Sequence, residues 1–208
     1  HAFMKKGVNG ISPFFIPMMI PNMAAGQVSI MLGAMGPNGC TVTACASASH
    51  SIGEAFQAIR DNKADVMITG GAEASITPLG IGGFCAMKAL STANDDPSRA
   101  CKPFDRKRDG FVMGEGAGVL VLEEMEHALE RGATIHAELI GYGSSADACH
   151  MVQPDPDGKG AALAFRNALA QAGLEPQDID YINAHGTGTT LNDQIETAVV
   201  KEVFASHS

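Results

Sequence analysis

Two side chains in this sequence stand where chemistry could be done. Cys45 is flanked by Ala44, Ala46, Ser47, Ala48 and Ser49, all small enough to let a substrate carbonyl reach its sulfur. The run Cys40-Thr41-Val42-Thr43 is rich in β-branched residues and predicts a strand, and Ile52, Ala55, Phe56 and Ile59 recur at helical spacing over about 46–60. Cys45 is thereby expected at a strand-to-helix junction. There the unpaired amides and positive end of a helix favour a thiolate and can donate to a developing oxyanion. Small neighbours equally suit tight helix packing, so the residues alone leave both readings open. The second side chain is His185, at the end of a predicted strand, 179–184, and followed by Gly186-Thr187-Gly188-Thr189. Sites in parallel α/β sheets lie at the carboxyl ends of strands, although a hydrogen-bonded structural histidine would also fit.

Elements must hold these two residues, and the punctuation of the chain predicts an alternating α/β protein. Helices are expected over 22–35, 46–60, 160–172 and 191–204, with a Glu-rich helix after residue 122. Strands are expected over 40–43, 65–69, 117–122, 135–143 and 179–184, the first two forming a βαβ unit with the intervening helix. Residues 70–116, rich in Gly, Pro, Asn and Asp, predict loops around short helices, and loops of such length usually carry function.

The chain has 208 residues, of which 45% are hydrophobic and 18% charged, enough to bury a core and to argue against disorder. A net charge of -9 without runs of like charge argues against a nucleic-acid surface. The apolar stretch 11–26 is broken by Pro13, Pro17 and Pro21 and is too short to span about 30 Å of hydrocarbon; no membrane association is expected. Five cysteines form no CxxC pair and no zinc spacing, which favours a reducing, cytoplasmic compartment. Because the first residue is His1, an upstream organellar transit segment would lie outside this sequence.

The run Thr43-Ala44-Cys45-Ala46-Ser47, followed by Ile52-Gly53, resembles the nucleophile segment of the β-ketoacyl synthases, enzymes of carbon-chain elongation on acyl-carrier protein. Asp65-Val66-Met67, Gly70-Gly71-Ala72-Glu73, Leu90-Ser91-Thr92, Pro103-Phe104-Asp105, Arg108-Asp109-Gly110-Phe111 and Gly114-Glu115-Gly116-Ala117-Gly118 resemble the same family in the same order. Asn183-Ala184-His185-Gly186-Thr187-Gly188-Thr189 matches its first histidine motif. The resemblance extends over essentially the whole chain. It implies a thiolase-like, layered α/β/α/β/α fold of two similar halves, here incomplete at both ends. Residues 1–132 would be the rest of the N-terminal half with the nucleophile, and 133–208 the start of the C-terminal half with the first catalytic histidine.

The implied reaction is a decarboxylative Claisen condensation of an acyl-enzyme thioester with malonyl-acyl-carrier protein, of the elongating second type. Cys45 would carry the acyl group, and His185 would donate a hydrogen bond to the thioester oxygen of the malonyl unit. Thr187 and Thr189 match positions that hold the pantetheine arm, the alternative being that they satisfy loop amides. Phe84 matches an aromatic of the acyl pocket, a buried core Phe being the alternative. Asp193 and Glu196, i and i+3 on one helix face, match acidic residues that anchor a lysine in relatives; a cap formed by Thr190 and Asp193 is the other reading. Lys88 could meet an acidic carrier at the tunnel mouth. Lys102, Arg106, Lys107 and Arg108 interleave with Asp105 and Asp109, which favours structural ion pairs.

The resemblance implies no cofactor and no metal, although Asn183 matches a position near a structural cation site in some relatives. The 114–118 run is not GxGxxG and precedes a strand, which argues against a dinucleotide enzyme. The implied partners are acyl-carrier protein bearing acyl and malonyl thioesters, and a second copy in a homodimer. The family's lysine of a Ser-Thr-Lys segment, second histidine and Gly-rich C-terminal loop are not found, and His207 lacks the surroundings of that second histidine. Condensation by these 208 residues alone is therefore doubtful, and exposed sheet edges are expected. Three alternatives stay open: a polyketide synthase's ketosynthase domain, a noncatalytic partner chain, and a biosynthetic thiolase. The last needs a second cysteine in a motif absent here.

Overall fold

The computed structural model describes residues 2–204; His207 lies outside them. The helices are α1 (Ala2–Lys6), α2 (Phe15–Met19), α3 (Met23–Leu32), α4 (Ser47–Arg60), α5 (Pro78–Ala86), α6 (Met125–Glu130), α7 (Lys159–Ala172) and α8 (Thr190–Phe204), and strands β1 (Val66–Glu73) and β2 (Gly116–Glu123) pair with one another. The chain divides into two compact units, one built from 2–71 and 119–134, the other from 72–118 and 135–204.

In the first unit, α4 lies on β1. A Cβ added at Gly71 would fall 2.7 Å from the Cβ of Ala48, so only glycine lets strand and helix approach this closely. Beside it Ser51 Oγ and Thr69 Oγ1 are 3.0 Å apart, with Thr69 buried. Of the face that the helical spacing predicts, Ala55 is buried and Ile52, Phe56 and Ile59 are half-buried, with Gly53 buried beside them. The apolar run before α4 is organised otherwise: α1, α2 and α3 bury none of their described side chains, and Phe14, Pro17, Met18 and Met23 line an open apolar groove.

The second unit is centred on α7 and α8. Ala162 and Val199 are each 1% exposed, and the rings of Phe165 and Phe204 meet edge to face, with centroids 5.3 Å apart. The segment 141–145 runs along α7. Tyr142 N donates to Gln171 Oε1 (2.7 Å), Asn167 Nδ2 to Ser144 O (3.2 Å) and Ser145 Oγ to Gly160 O (2.6 Å).

Helices and strands 66–73 and 116–123 match the sequence expectation to within a few residues at most ends. The strands expected over 40–43, 135–143 and 179–184 are not formed, and with the first of them the βαβ unit is lost. A strand exists through its ladder, and β-branched composition supplies only half of that requirement. Residues 40–43 illustrate the substitute: Thr41 Oγ1 donates to Glu54 Oε2 (2.7 Å) and Cys40 Sγ to Pro21 O (3.3 Å). Side chains pin this segment where a partner strand does not.

One ion-pair cluster supports the end of β2. Glu123 receives both Arg131 nitrogens, Nε at 2.6 Å, and the His127 ring. Its carboxyl is held down to about 2, first by the Arg131 hydrogen bonds. A depressed carboxyl stabilises the fold above its ordinary value near 4.5, and that contribution is lost as pH falls toward 2. Glu123→Gln is therefore expected to flatten the pH dependence of the melting temperature between about pH 4.5 and 2. Acid melts of both proteins that superimpose in slope would contradict this.

Candidate functional site

Cys45 occupies the middle of a 3₁₀ turn, Ala44–Ala46, that leads directly into α4. Its side chain is exposed. The approach to it is bent: Ala44 has φ 52°, a left-handed conformation that a residue with a Cβ adopts only where the surroundings hold it. Ser47 does the holding. Its hydroxyl donates to Ala44 O and accepts from Thr43 N, both at 2.8 Å. Ala46 N also donates back to Thr43 O. Cys45 thus stands at the start of the expected helix without the expected strand before it; Ser47, by sequence only a small neighbour, also clasps the turn, and a serine three residues beyond a turn carbonyl is the readable signal.

His185 belongs to the second unit, at the end of the irregular segment 179–184, with its side chain exposed. Its main chain is fixed from α8. Glu196 accepts His185 N (2.6 Å) on one oxygen and Gly186 N (2.9 Å) on the other. One helical turn earlier Asp193, 1% exposed, accepts Gly188 N (3.0 Å) and Phe104 N (2.6 Å). The i, i+3 carboxylates thus grip the two halves of the turn 185–188. No capping pair forms between Thr190 and Asp193; Thr189 Oγ1 receives Asn192 N at 3.4 Å instead.

The two threonines of the turn point at one another, Oγ1 to Oγ1 at 2.8 Å. Thr187 Oγ1 also accepts Thr189 N (3.2 Å). Thr187 Oγ1 therefore satisfies a loop amide, and Thr189 Oγ1 one in the first turn of α8. One of their two protons is consumed between them, which leaves the other available to donate outward.

Phe84, in α5, is half-buried and meets Phe111 edge to face, centroids 5.1 Å apart. The loop before α5 is tied by Ile76 N to Glu115 Oε1 (2.8 Å), a contact the sequence did not reveal across 39 residues. Lys88 follows α5, exposed, at φ 55°. Of the basic cluster, Lys102 pairs with Asp109 (3.7 Å) and Arg108 Nε with Asp193 (3.3 Å). Asp109 also receives Ser91 Oγ and Thr92 N, which hold its carboxyl below the usual range. Asn183 is exposed, and no cluster suited to a metal ion occurs among the described residues. Nor is any helix among them long and apolar enough to cross a membrane.

Residues 2–128 match the family described as "Beta-ketoacyl synthase, N-terminal domain", and 136–208 match "Beta-ketoacyl synthase, C-terminal domain". The chain belongs to the β-ketoacyl synthase family. It is 56% identical over 201 residues to 3-oxoacyl-[acyl-carrier-protein] synthase 2 of Staphylococcus aureus, covering 97% of this chain and 50% of that protein. The enzyme of the same name from Synechocystis is 54% identical over 205 residues, covering 99% and 49%. A β-ketoacyl synthase from Burkholderia phymatum superposes with a TM-score of 0.91 at 40% identity, covering 97% of this chain and 49% of that one. A type II PKS ketosynthase solved with its acyl-carrier protein gives 0.91 at 38% identity, covering 95% and 48%. The fold is thus the mixed α/β, thiolase-like fold of ketosynthases, and this chain spans about half the length of the relatives it matches.

Proposed function

We propose that this chain, within a protein of its relatives' length, serves the decarboxylative Claisen condensation that elongates an acyl chain on acyl-carrier protein. One observation carries the reading: the 56% identity to 3-oxoacyl-[acyl-carrier-protein] synthase 2 spans 201 of 208 residues, and a span of that size contains both Cys45 and the 183–189 motif. Cys45 Sγ attacks the acyl thioester carbonyl, and the carrier thiol leaves. The malonyl thioester then loses CO₂ by cleavage of its carbon–carbon bond, leaving an enolate. The enolate carbon attacks the acyl-enzyme carbonyl, the bond to Cys45 breaks, and a β-ketoacyl thioester departs on the carrier.

The residues divide these tasks. Cys45 is nucleophile and leaving group, in a turn held by Ser47. His185 donates to the enolate oxygen, and Glu196 and Asp193 fix the turn that carries it. Thr187 and Thr189 offer the outward hydroxyl proton to the pantetheine arm, and Phe84 contributes to the acyl pocket. Neither cofactor nor metal enters this scheme.

The partners are acyl-carrier protein and a second copy of the synthase, in the cytoplasm. Apolar surface lies open around α1, α2 and α3, where the rest of a protein of the relatives' length or a second copy would pack. Phe3, Met4, Val8, Phe14, Met18 and Ile30 are all more than half exposed. The division into halves at 132/133 is kept, supported by family matches that end at 128 and begin at 136.

The test is made on a protein of the relatives' length. Incubated with acyl-carrier and malonyl-carrier thioesters, it is expected to gain one acyl mass and then release β-ketoacyl carrier and CO₂ in equal amounts. Hydrolysis of either thioester without a condensed product would overturn the reading. The similarity to a type II PKS ketosynthase favours a second reading, repeated condensation on one chain. A product longer than one added two-carbon unit, formed without any reductase, would select it.

A further inference from the structure

Arg108 makes a set of contacts that a plain surface ion pair would not need. Its side chain is 17% exposed and Nε lies 3.3 Å from the Asp193 carboxylate. Nε also donates to Thr189 O at 3.1 Å and Nη2 to Thr190 O at 2.9 Å, while Nη1 reaches back to Asp105 O at 3.1 Å. The Thr189 and Thr190 carbonyls lie about eighty residues from Arg108 in sequence and sit where the threonine turn becomes α8. A cation at the amino end of a helix faces the positive end of its dipole, so the placement is unfavourable for α8 by itself. Buried Asp193 offsets that, because its carboxylate lies between the guanidinium and the turn.

The same carboxylate connects Arg108 to everything around the threonines. Asp193 Oδ1 takes Gly188 N, and Oδ2 takes Phe104 N. Phe104 has φ 63°, a costly conformation for a bulky residue, and its ring lies close over Gly186, where an added Cβ would come within 3.2 Å. On the other side Gly110, two residues beyond Arg108, donates to Gly188 O at 3.1 Å. A Cβ on Gly188 would stand 2.9 Å from Gly110 O. The turn is therefore bounded by 104, 108 and 110 together with Asp193, which binds Phe104 and Arg108 as well as Gly188.

We propose that Arg108 is a positioning residue that, through the Thr189 and Thr190 carbonyls and Asp193, sets the direction in which the Thr187–Thr189 hydroxyl pair presents its free proton to the carrier arm. The role rests on the reading of those threonines as the carrier contact. It requires the planar fork of arginine, since two carbonyls and a carboxylate at separate angles cannot all be met by one lysine ammonium.

Steady-state kinetics of Arg108→Lys in a protein of the relatives' length, with malonyl-carrier varied, tests this. Expected is a KM for the carrier raised about tenfold with kcat within about twofold, while the melting temperature falls by only a few degrees, as about one lost hydrogen bond would cause, and the rate of Cys45 alkylation by iodoacetamide stays at the wild-type value. An unchanged KM overturns the proposal, as does a loss of melting temperature and alkylation rate in proportion to activity, which marks a purely structural ion pair. Thr189→Val run alongside separates the two readings. If it raises KM and Arg108→Lys does not, Arg108 alone is wrong; if it leaves KM unchanged, the carrier-arm reading fails with it.

Discussion

Cys45→Ala is expected to remove acyl transfer entirely: in a protein of the relatives' length no acyl mass increment forms, and condensation falls by on the order of 10⁶-fold, the scale on which loss of a covalent nucleophile is felt. The substitution should not disturb the fold. Cys45 is exposed, and the turn around it is held by Ser47 and by Ala46 N, none of which uses the sulfur. An unchanged melting temperature with no increment would assign the loss to chemistry. A variant that still acquires the acyl mass would move the acceptor to another of the five free cysteines and sink the role of the α4 turn.

His185→Ala provides the contrast within the same experiment. Glu196 holds the main chain of residues 185 and 186, not the imidazole, so the turn keeps its anchors when the ring is removed. Acylation of Cys45 should persist, while condensation falls about 10²–10³-fold, as for loss of one oxyanion donor. A histidine whose loss blocked acylation as severely as condensation would instead be acting on the thiol.

Why some of this was legible in sequence and some was not follows from the distance over which each feature is determined. Helices α4, α7 and α8 carry their own apolar periodicity, and each appears within about a residue of its expected ends. The small residues around Cys45 and the Gly-Thr-Gly-Thr run likewise act locally. The strands expected at 135–143 and 179–184 depend on partners elsewhere in the chain, and composition cannot say whether a ladder forms. Asp193 and Glu196 stand out by the family resemblance and share a helix face by their spacing, but the main-chain amides they hold are not legible: Phe104 lies 89 residues before Asp193. Arg108 sat in a basic cluster whose interleaved acids suggested local pairs, and Lys102–Asp109 is such a pair. What distinguishes Arg108 is burial of Asp193, which no local pattern encodes.

Gly143→Ala is expected to cost the second unit heavily. The added Cβ would lie 2.1 Å from Ala164 O and 2.5 Å from Ala168 N. Both atoms belong to the backbone of α7, which cannot swing aside as a flexible side chain does. Ordinary overpacking costs about 1–3 kcal/mol; here the segment must lift from the helix, and it would release the Tyr142–Gln171 and Asn167–Ser144 hydrogen bonds with it. A loss above about 3 kcal/mol corresponds to a fall in melting temperature of roughly 6–12 °C for a chain of this size, read by circular dichroism. Ala168→Gly added to Gly143→Ala removes a methyl that would stand 3.1 Å from the new one, yet it should restore little, because the principal obstacles are main-chain atoms. A Gly143→Ala protein that melts with the wild type, or a double variant that fully recovers, would mean that 141–145 is not seated on α7 as closely as these distances require.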